Sequence, residues 1–229
     1  MATSCGKAAD PAGRDAYAED RHAMVKFQIE ARGVRDPLVL DAMRSVPRHL
    51  FVQPGLMHRA YDDHPLPIGM DQTISQPYIV AAMTELARVK PGDSVFEVGT
   101  GSGYQAAVLD AIGAKVFTIE IVEPLATSAA ERLKALGYTN TTVKAGDGYI
   151  GWPEHAPFDA ILVTCGADHV PQPLVDQLKP GARMVIPVGE SGETQWLQLL
   201  TKNEDGTMLT NNVMPVRFVP LTGERAKTR

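Results

Sequence analysis

Apolar positions along the chain follow two rhythms. Residues 17 to 92 carry helix-period spacing broken by prolines, and residues 94 to 219 carry short apolar runs alternating with helical stretches. In the first part, Met24, Phe27, Ile29 and Ala31 predict a helix over Tyr17 to Arg32 that Gly33 closes. Asp36-Pro37 reads as an N-cap with proline at the first helical position. Val39, Ala42, Met43 and Val46 repeat at i, i+3, i+4 and i+7, and Pro47 stops that helix. Residues 47–76 are punctuated by Pro47, Pro54, Gly55, Pro65, Pro67 and Gly69 and read as a long loop. Phe51, Leu56, Tyr61, Leu66 and Ile68 give that loop apolar anchors, so it is expected to be ordered and functional. Pro77 opens another helix, with Ile79, Met83 and Leu86 on one face, ending near Pro91-Gly92.

Strands are then predicted at 94–98, 115–119, 141–145, 159–163 and 182–187. Helices fall between them near 103–112, 124–136 and 171–178. This alternation implies right-handed crossovers and a parallel, doubly wound α/β sheet. Two further strands near 195–201 and 213–219 are joined by Asn203-Glu-Asp-Gly-Thr207, too short for a crossover helix, so that pair should be antiparallel. The expected organisation is a disordered tail over 1–15 and a single domain over 16–229. Within it, 16–92 is an N-terminal helical, substrate-facing segment and 93–229 a cofactor-binding sheet.

Composition narrows the class. The chain has 229 residues, 44% hydrophobic, with 22 basic and 27 acidic residues and a net charge of −5. No run of Lys or Arg stands out, so nucleic acid is not an expected partner. The longest apolar runs are strand-sized, against the roughly 20 residues that a membrane span needs. The first ten residues contain no apolar core of a secretory signal. Cys5 and Cys165 are far apart and form no ligand spacing. These features lead to the expectation of a cytoplasmic, monomeric protein without disulfides. The six histidines show no metal-ligand spacing, and no metal is assigned.

The chemistry centres on Val95-Phe-Glu-Val-Gly-Thr-Gly-Ser-Gly-Tyr104. A strand ends in Gly99, Gly101 and Gly103 and a helix follows, the arrangement that receives a nucleotide-like cofactor beyond the strand ends. Glu97 puts a carboxylate two residues before the first glycine and would repel a pyrophosphate. A phosphate-free, cationic cofactor such as S-adenosylmethionine fits better than NAD. Glu120, about 20 residues on, is suited to a pair of ribose hydroxyls. Asp147, in Gly146-Asp-Gly148, ends the third strand and is suited to an adenine amino group. Gly101-x-Gly103-x-x-Ala106 also meets the looser dinucleotide pattern, so an NAD-linked oxidoreductase stays open here. Thr73 and Ser75, just before Pro77, offer two hydroxyls at a helix start, a receptor for a carboxylate. Local sequence by itself favours the plainer reading of helix capping for both.

Five motifs together carry a resemblance. They are Pro65-Leu-Pro-Ile-Gly69, Gln72-Thr-Ile-Ser-Gln-Pro-Tyr78, Glu97-Val-Gly-Thr-Gly-Ser-Gly-Tyr104, Gly146-Asp-Gly148 and Val216-Arg-Phe-Val-Pro-Leu221. In this order, from about Val46 to Leu221, they resemble the protein-L-isoaspartate O-methyltransferases. The Thr-Ile-Ser-Gln-Pro segment is peculiar to that family among methyltransferases. The resemblance implies a Rossmann-like methyltransferase sheet and S-adenosyl-L-methionine as cofactor. It implies methyl transfer to the free carboxylate of L-isoaspartyl residues in damaged proteins and peptides. Ser75 matches the family's active-site serine, and Gln72, Thr73 and Ile74 match the segment lining the methyl-transfer site. Glu120, Asp147 and Gly148 match cofactor contacts, and Thr222 follows the Val-Pro-Leu element that closes over the site. Two departures stand out. Asp71 replaces a common glycine, with its carboxylate expected in solvent, and Cys165-Gly166 replaces a common pair of alanines. Cys165 is expected to line the pocket, since neither His155 nor His169 is spaced to activate it as a nucleophile.

Three other readings are carried forward. One is a methyltransferase acting on a small molecule or RNA, the second the NAD-linked oxidoreductase, and the third a non-catalytic cofactor-binding module.

Overall fold

The computed structural model describes residues 15–223. The predicted tail, apart from Asp15, lies outside the described residues. The first helical stretch is α1 (Ala18–Met24), which continues as a π-helical turn over Val25–Ile29 and a tight turn over Glu30–Arg32. Gly33, at φ 101°, closes it as expected. Met24, Val25 and Ile29 are buried along this stretch. Next comes α2 (Pro37–Ser45), where Asp36 accepts from the Leu38 N–H at 2.9 Å as its N-cap.

Residues 47–76, read as a loop, contain more structure than that. Two tight helical turns (Arg48–Phe51 and Pro54–Arg59) lead into an antiparallel hairpin of β1 (Leu66–Gly69) and β2 (Gln72–Ile74). Arg48 is fully buried here, donating to the Ala60 carbonyl at 2.7 Å and lying 4.8 Å over the Tyr104 ring. The hairpin turn runs through Met70 and Asp71 at φ 51° and 57°, left-handed values without a glycine at either position. Asp71 is exposed there, as expected, and aspartate is among the few residues that tolerate this conformation.

The helix α3 (Pro77–Ala87) follows. Then come β3 (Ser94–Val98), α4 (Tyr104–Ile112), β4 (Lys115–Glu120), α5 (Glu123–Ala135), β5 (Thr141–Ala145), β6 (Phe158–Val163), α6 (Gln172–Asp176), β7 (Leu178–Val188), β8 (Gln195–Lys202) and β9 (Met208–Val216). The large sheet has seven strands in the order β5-β4-β3-β6-β7-β8-β9. Pairing is parallel from β5 to β7 and antiparallel between β7, β8 and β9. The doubly wound, mostly parallel sheet with an antiparallel C-terminal pair is therefore as expected. Its last strand is not: β9 starts at Met208 and ends at Val216, where apolar pattern had suggested 213–219. Thr210, Asn211 and Asn212 are exposed on an edge strand, and so hide the alternation by which a strand is recognised. Pro215 is tolerated at this edge.

The strand order reverses between β3 and β6, so the crevice for a ligand opens beyond the ends of β3, β4 and β6. One apolar cluster joins Met24, Val39 and Met43 of the N-terminal helices to Leu109 of α4 and Val95, Leu162 and Val185 of the sheet. The N-terminal segment is thus anchored through a shared core, which sets β2 and its flanking residues against the glycine loop. No helix is long and apolar enough to cross a membrane among the described residues.

Candidate active site

A cleft lies at that switch point. Its floor is the turn from β3 into α4. The Gly99 and Thr100 N–H groups donate to the Ile119 carbonyl at 2.9 and 3.3 Å, which folds the turn back over the end of β4. Gly99, at φ 97°, needs its glycine twice over. Its conformation is left-handed, and a Cβ would stand 2.8 Å from the Thr164 Oγ1. Gly101 faces the cleft, and a Cβ there would meet Ile68 of β1 at 3.4 Å. Gly103 serves another purpose. It caps α4 and packs against Leu133 and Ala129 of α5, so it shapes the loop from behind and does not line the cleft.

Two carboxylates line the cleft in contrasting states. Glu120 is held by its backbone surroundings, accepting from the Gly101 N–H at 2.8 Å and the Val122 N–H at 3.0 Å. Glu97 is fully buried; the Thr118 hydroxyl beside it favours the charged form, but that hydroxyl is engaged with Thr100 at 2.7 Å, and neither Glu97 oxygen has a well-aligned hydrogen bond among the described residues. Burial, with a smaller contribution from the Glu120 charge, pushes its pKa up to about 8. A buried acceptor pair left without partners costs free energy, and a bound ammonium or sulfonium cation relieves it. The two carboxylates and glycine cradle fit S-adenosylmethionine, which carries both cations and no phosphate. The repulsion of pyrophosphate argued from sequence holds only in part, because at neutral pH Glu97 is largely protonated until a cation arrives.

Gly148, which opens a tight helical turn three residues after β5, lines the cleft so tightly that a Cβ would lie 2.3 Å from Val98 Cγ1. Asp147 stands behind it: one oxygen accepts from the Tyr149 N–H at 2.8 Å, and Gly223 lies close against the carboxylate. Gln72, Thr73, Ile74 and Ser75 form the opposite wall, and Val219 to Thr222 pass over the top. That upper segment is stitched down by two hydrogen bonds with Gly166, at 2.8 Å to the Val219 carbonyl and 2.7 Å from the Leu221 N–H.

The capping reading for Thr73 and Ser75 fails. Gln76, not Ser75, is the N-cap of α3, without a side-chain cap bond, and Thr73 sits in β2. Neither hydroxyl has a protein hydrogen-bond partner among the described residues, so both are free for a ligand. Thr73 and Ser75 also line a second cavity, a groove running between Arg32 and the end of β9 with the chain after it. Cleft and groove share only Thr73, Ser75, Thr164 and Val219. Thr164 was missed from sequence. Its hydroxyl donates towards the Val98 and Gly99 carbonyls at 3.0 and 2.7 Å, and so ties the glycine loop to β6. A threonine after an apolar strand carries no local signal of that role.

Cys165 lines the cleft as a buried free thiol, and burial beside Glu120 and Glu97 pushes its pKa far above the usual range. That excludes an activated thiolate. His155 stacks on Phe117 at 4.0 Å and His169 pairs with Asp168, so both histidines are engaged elsewhere. Gly166 answers the second departure. A Cβ there would lie 2.6 Å from the Gln195 carboxamide, which accepts from the Phe218 N–H at 2.8 Å and anchors the segment above the cleft. No group of three or more His, Cys, Asp or Glu able to hold a metal is found among the described residues.

With this geometry in place, likeness to known proteins can be weighed. The family model described as Protein-L-isoaspartate(D-aspartate) O-methyltransferase matches residues 19–226. Protein-L-isoaspartate O-methyltransferase 1 of Cupriavidus necator is 60% identical over 189 residues, 82% of this chain and 73% of that protein. A solved protein-L-isoaspartate O-methyltransferase superposes with a TM-score of 0.81 at 30% identity, over 90% of this chain and 66% of its own. A beta-aspartate methyltransferase from Plasmodium falciparum, in complex with S-adenosyl-L-homocysteine, gives 0.76 at 26% identity, over 88% and 98%.

Proposed function

The chain belongs to the protein-L-isoaspartate (D-aspartate) O-methyltransferase family, and on that premise we propose which of its residues perform the family's reaction. The enzyme methylates the free carboxylate of L-isoaspartyl residues in damaged proteins and peptides, with S-adenosyl-L-methionine as cofactor. When bound, that cofactor supplies an electrophilic methyl group on a sulfonium. The following backbone amide nitrogen then attacks the methyl ester and expels methanol to close a succinimide, and hydrolysis of that ring by water returns part of the damage to normal aspartate.

In our reading Glu97 balances the cofactor's cationic amino acid end, Glu120 takes the ribose hydroxyls, and Gly99, Gly101 and Gly148 give the backbone room to approach. Gln72, Thr73 and Ile74 form the facing wall and Thr222 the cover. Asp147 contributes the adenine end through the turn it holds at Gly148, and Gly103 acts through the loop's shape. Ser75 is the catalytic residue. The observation that carries this assignment is its free hydroxyl at the junction of cleft and groove.

No general base is needed, because a carboxylate with an ordinary pKa near 4 is already ionised at neutral pH. Charge is cancelled as the nucleophile nears the sulfonium, so tight ground-state binding of the carboxylate would slow the step. A single neutral hydroxyl suits that demand: Ser75 orients the acceptor without trapping it. The rest is proximity and alignment between two cavities that meet at four residues. Ser75→Ala is expected to lose about 1.5–3 kcal/mol in kcat/KM. Steady-state kinetics on an isoaspartyl peptide checks this, and an unchanged kcat/KM removes Ser75 from the mechanism.

The acidic net charge of −5 supports protein and peptide substrates over nucleic acid. We further propose a cytoplasmic monomer.

A further inference from the structure

We propose that Arg217 and Arg32 make the groove selective for damaged segments that carry acidic residues beside the isoaspartyl position. The inference rests on the reading of Ser75 as the residue that orients the methyl-accepting carboxylate at the end of this groove.

Among the described residues no aspartate or glutamate lines the groove, although the chain has 27 of them. Two arginines do. Arg32 is fixed in place, with its guanidinium 3.4 Å over the Tyr78 ring and Nη1 3.0 Å from an Asp63 oxygen. Asp63 offsets part of its charge. Arg217, directly after β9, is exposed and has no ion pair or hydrogen bond among the described residues. The groove therefore presents one steadied, partly offset cation and one cation that no described residue opposes, flanked by apolar surface from Met214, Val216 and Phe218. Arginine's planar fork matches a carboxylate at two points, and its charge does not titrate.

Among the described residues no cation lines the cleft where the methyl is transferred, which suits the charge cancellation argued above. Remote cations escape that constraint. They hold substrate and transition state equally, which lowers KM and leaves kcat alone. Because Arg217 is exposed, each such contact is worth only an ordinary surface ion pair, about two- to five-fold in KM.

The test uses three peptides identical except for the residues on either side of one isoaspartyl, which are Glu, Gln or Lys. The wild-type enzyme is expected to rank them Glu over Gln over Lys in kcat/KM, about two- to five-fold per step, all of it in KM. The ranking should shrink towards equality in 1 M salt, where the screening length is only about 3 Å. Arg217→Gln should flatten the ranking and Arg217→Glu should reverse it. A role confined to folding would change all three peptides alike. Equal kcat/KM for the three peptides, a ranking undiminished by 1 M salt, or one unchanged in both variants overturns the proposal. Methylation of none of the peptides overturns the isoaspartyl reading beneath it.

Discussion

Glu97 shows how far a single residue can be read without coordinates. Its position before Gly99 marks it as a partner for a cation, and that much is legible. Its burial is not, and burial decides its protonation. In the unfolded chain the group titrates near 4.5, and in the fold at about 8. The folded state thus holds a proton that the unfolded chain releases between those values. Stability from this group is fully present below about pH 4.5 and is lost as pH rises towards 8. Glu97→Gln should flatten the fall in stability across pH 5–8 in thermal denaturation of the cofactor-free protein. Cofactor binding near pH 7 should release a proton, visible in calorimetry across buffers of different ionisation heat, and the variant should release none. Equal pH slopes for both proteins contradict the assignment. Other residues mislead on local evidence: Ser75 looks like a cap and is not one, because the chain turns a residue later, at Gln76.

At the scale of elements, the central parallel strands β3, β4 and β6 are legible because they are buried on both faces and so read as continuous apolar runs. The hairpin of β1 and β2 is hidden because Pro65, Pro67 and Gly69 speak for a loop, and its turn uses Met70 and Asp71 where glycine or asparagine would announce it. The elements meet at glycines chosen for contact, and the end of β3 and the turn after β5 approach across Gly148. Gly148→Ala drives a methyl to 2.3 Å from Val98 and should cost about 1–3 kcal/mol through overpacking. That corresponds to a melting temperature lower by about 2–4 °C per kcal/mol. Gly55→Ala, with nothing within 4 Å and no left-handed backbone, is the matched control and should change it little. A Gly148→Ala protein as stable as the control contradicts this packing.

At the scale of the whole molecule, the site is two cavities sharing a wall. The sheet supplies the cleft and the N-terminal segment supplies Thr73 and Ser75, while the chain after β9 covers both. The apolar cluster running from Met24 to Val185 ties these parts together, and we propose that residues 16–229 act as one domain for that reason. The donor side was legible from the glycine loop. The acceptor side was legible only through family likeness, because it is assembled from a hairpin, a strand end and an edge strand distant in sequence. The measurement that tests the account most directly is incorporation of labelled methyl from S-adenosyl-L-methionine into an isoaspartyl peptide and its aspartyl twin. The account predicts label in the isoaspartyl peptide alone, followed by its loss as the ester closes to a succinimide. Equal labelling of both peptides, or of neither, contradicts it.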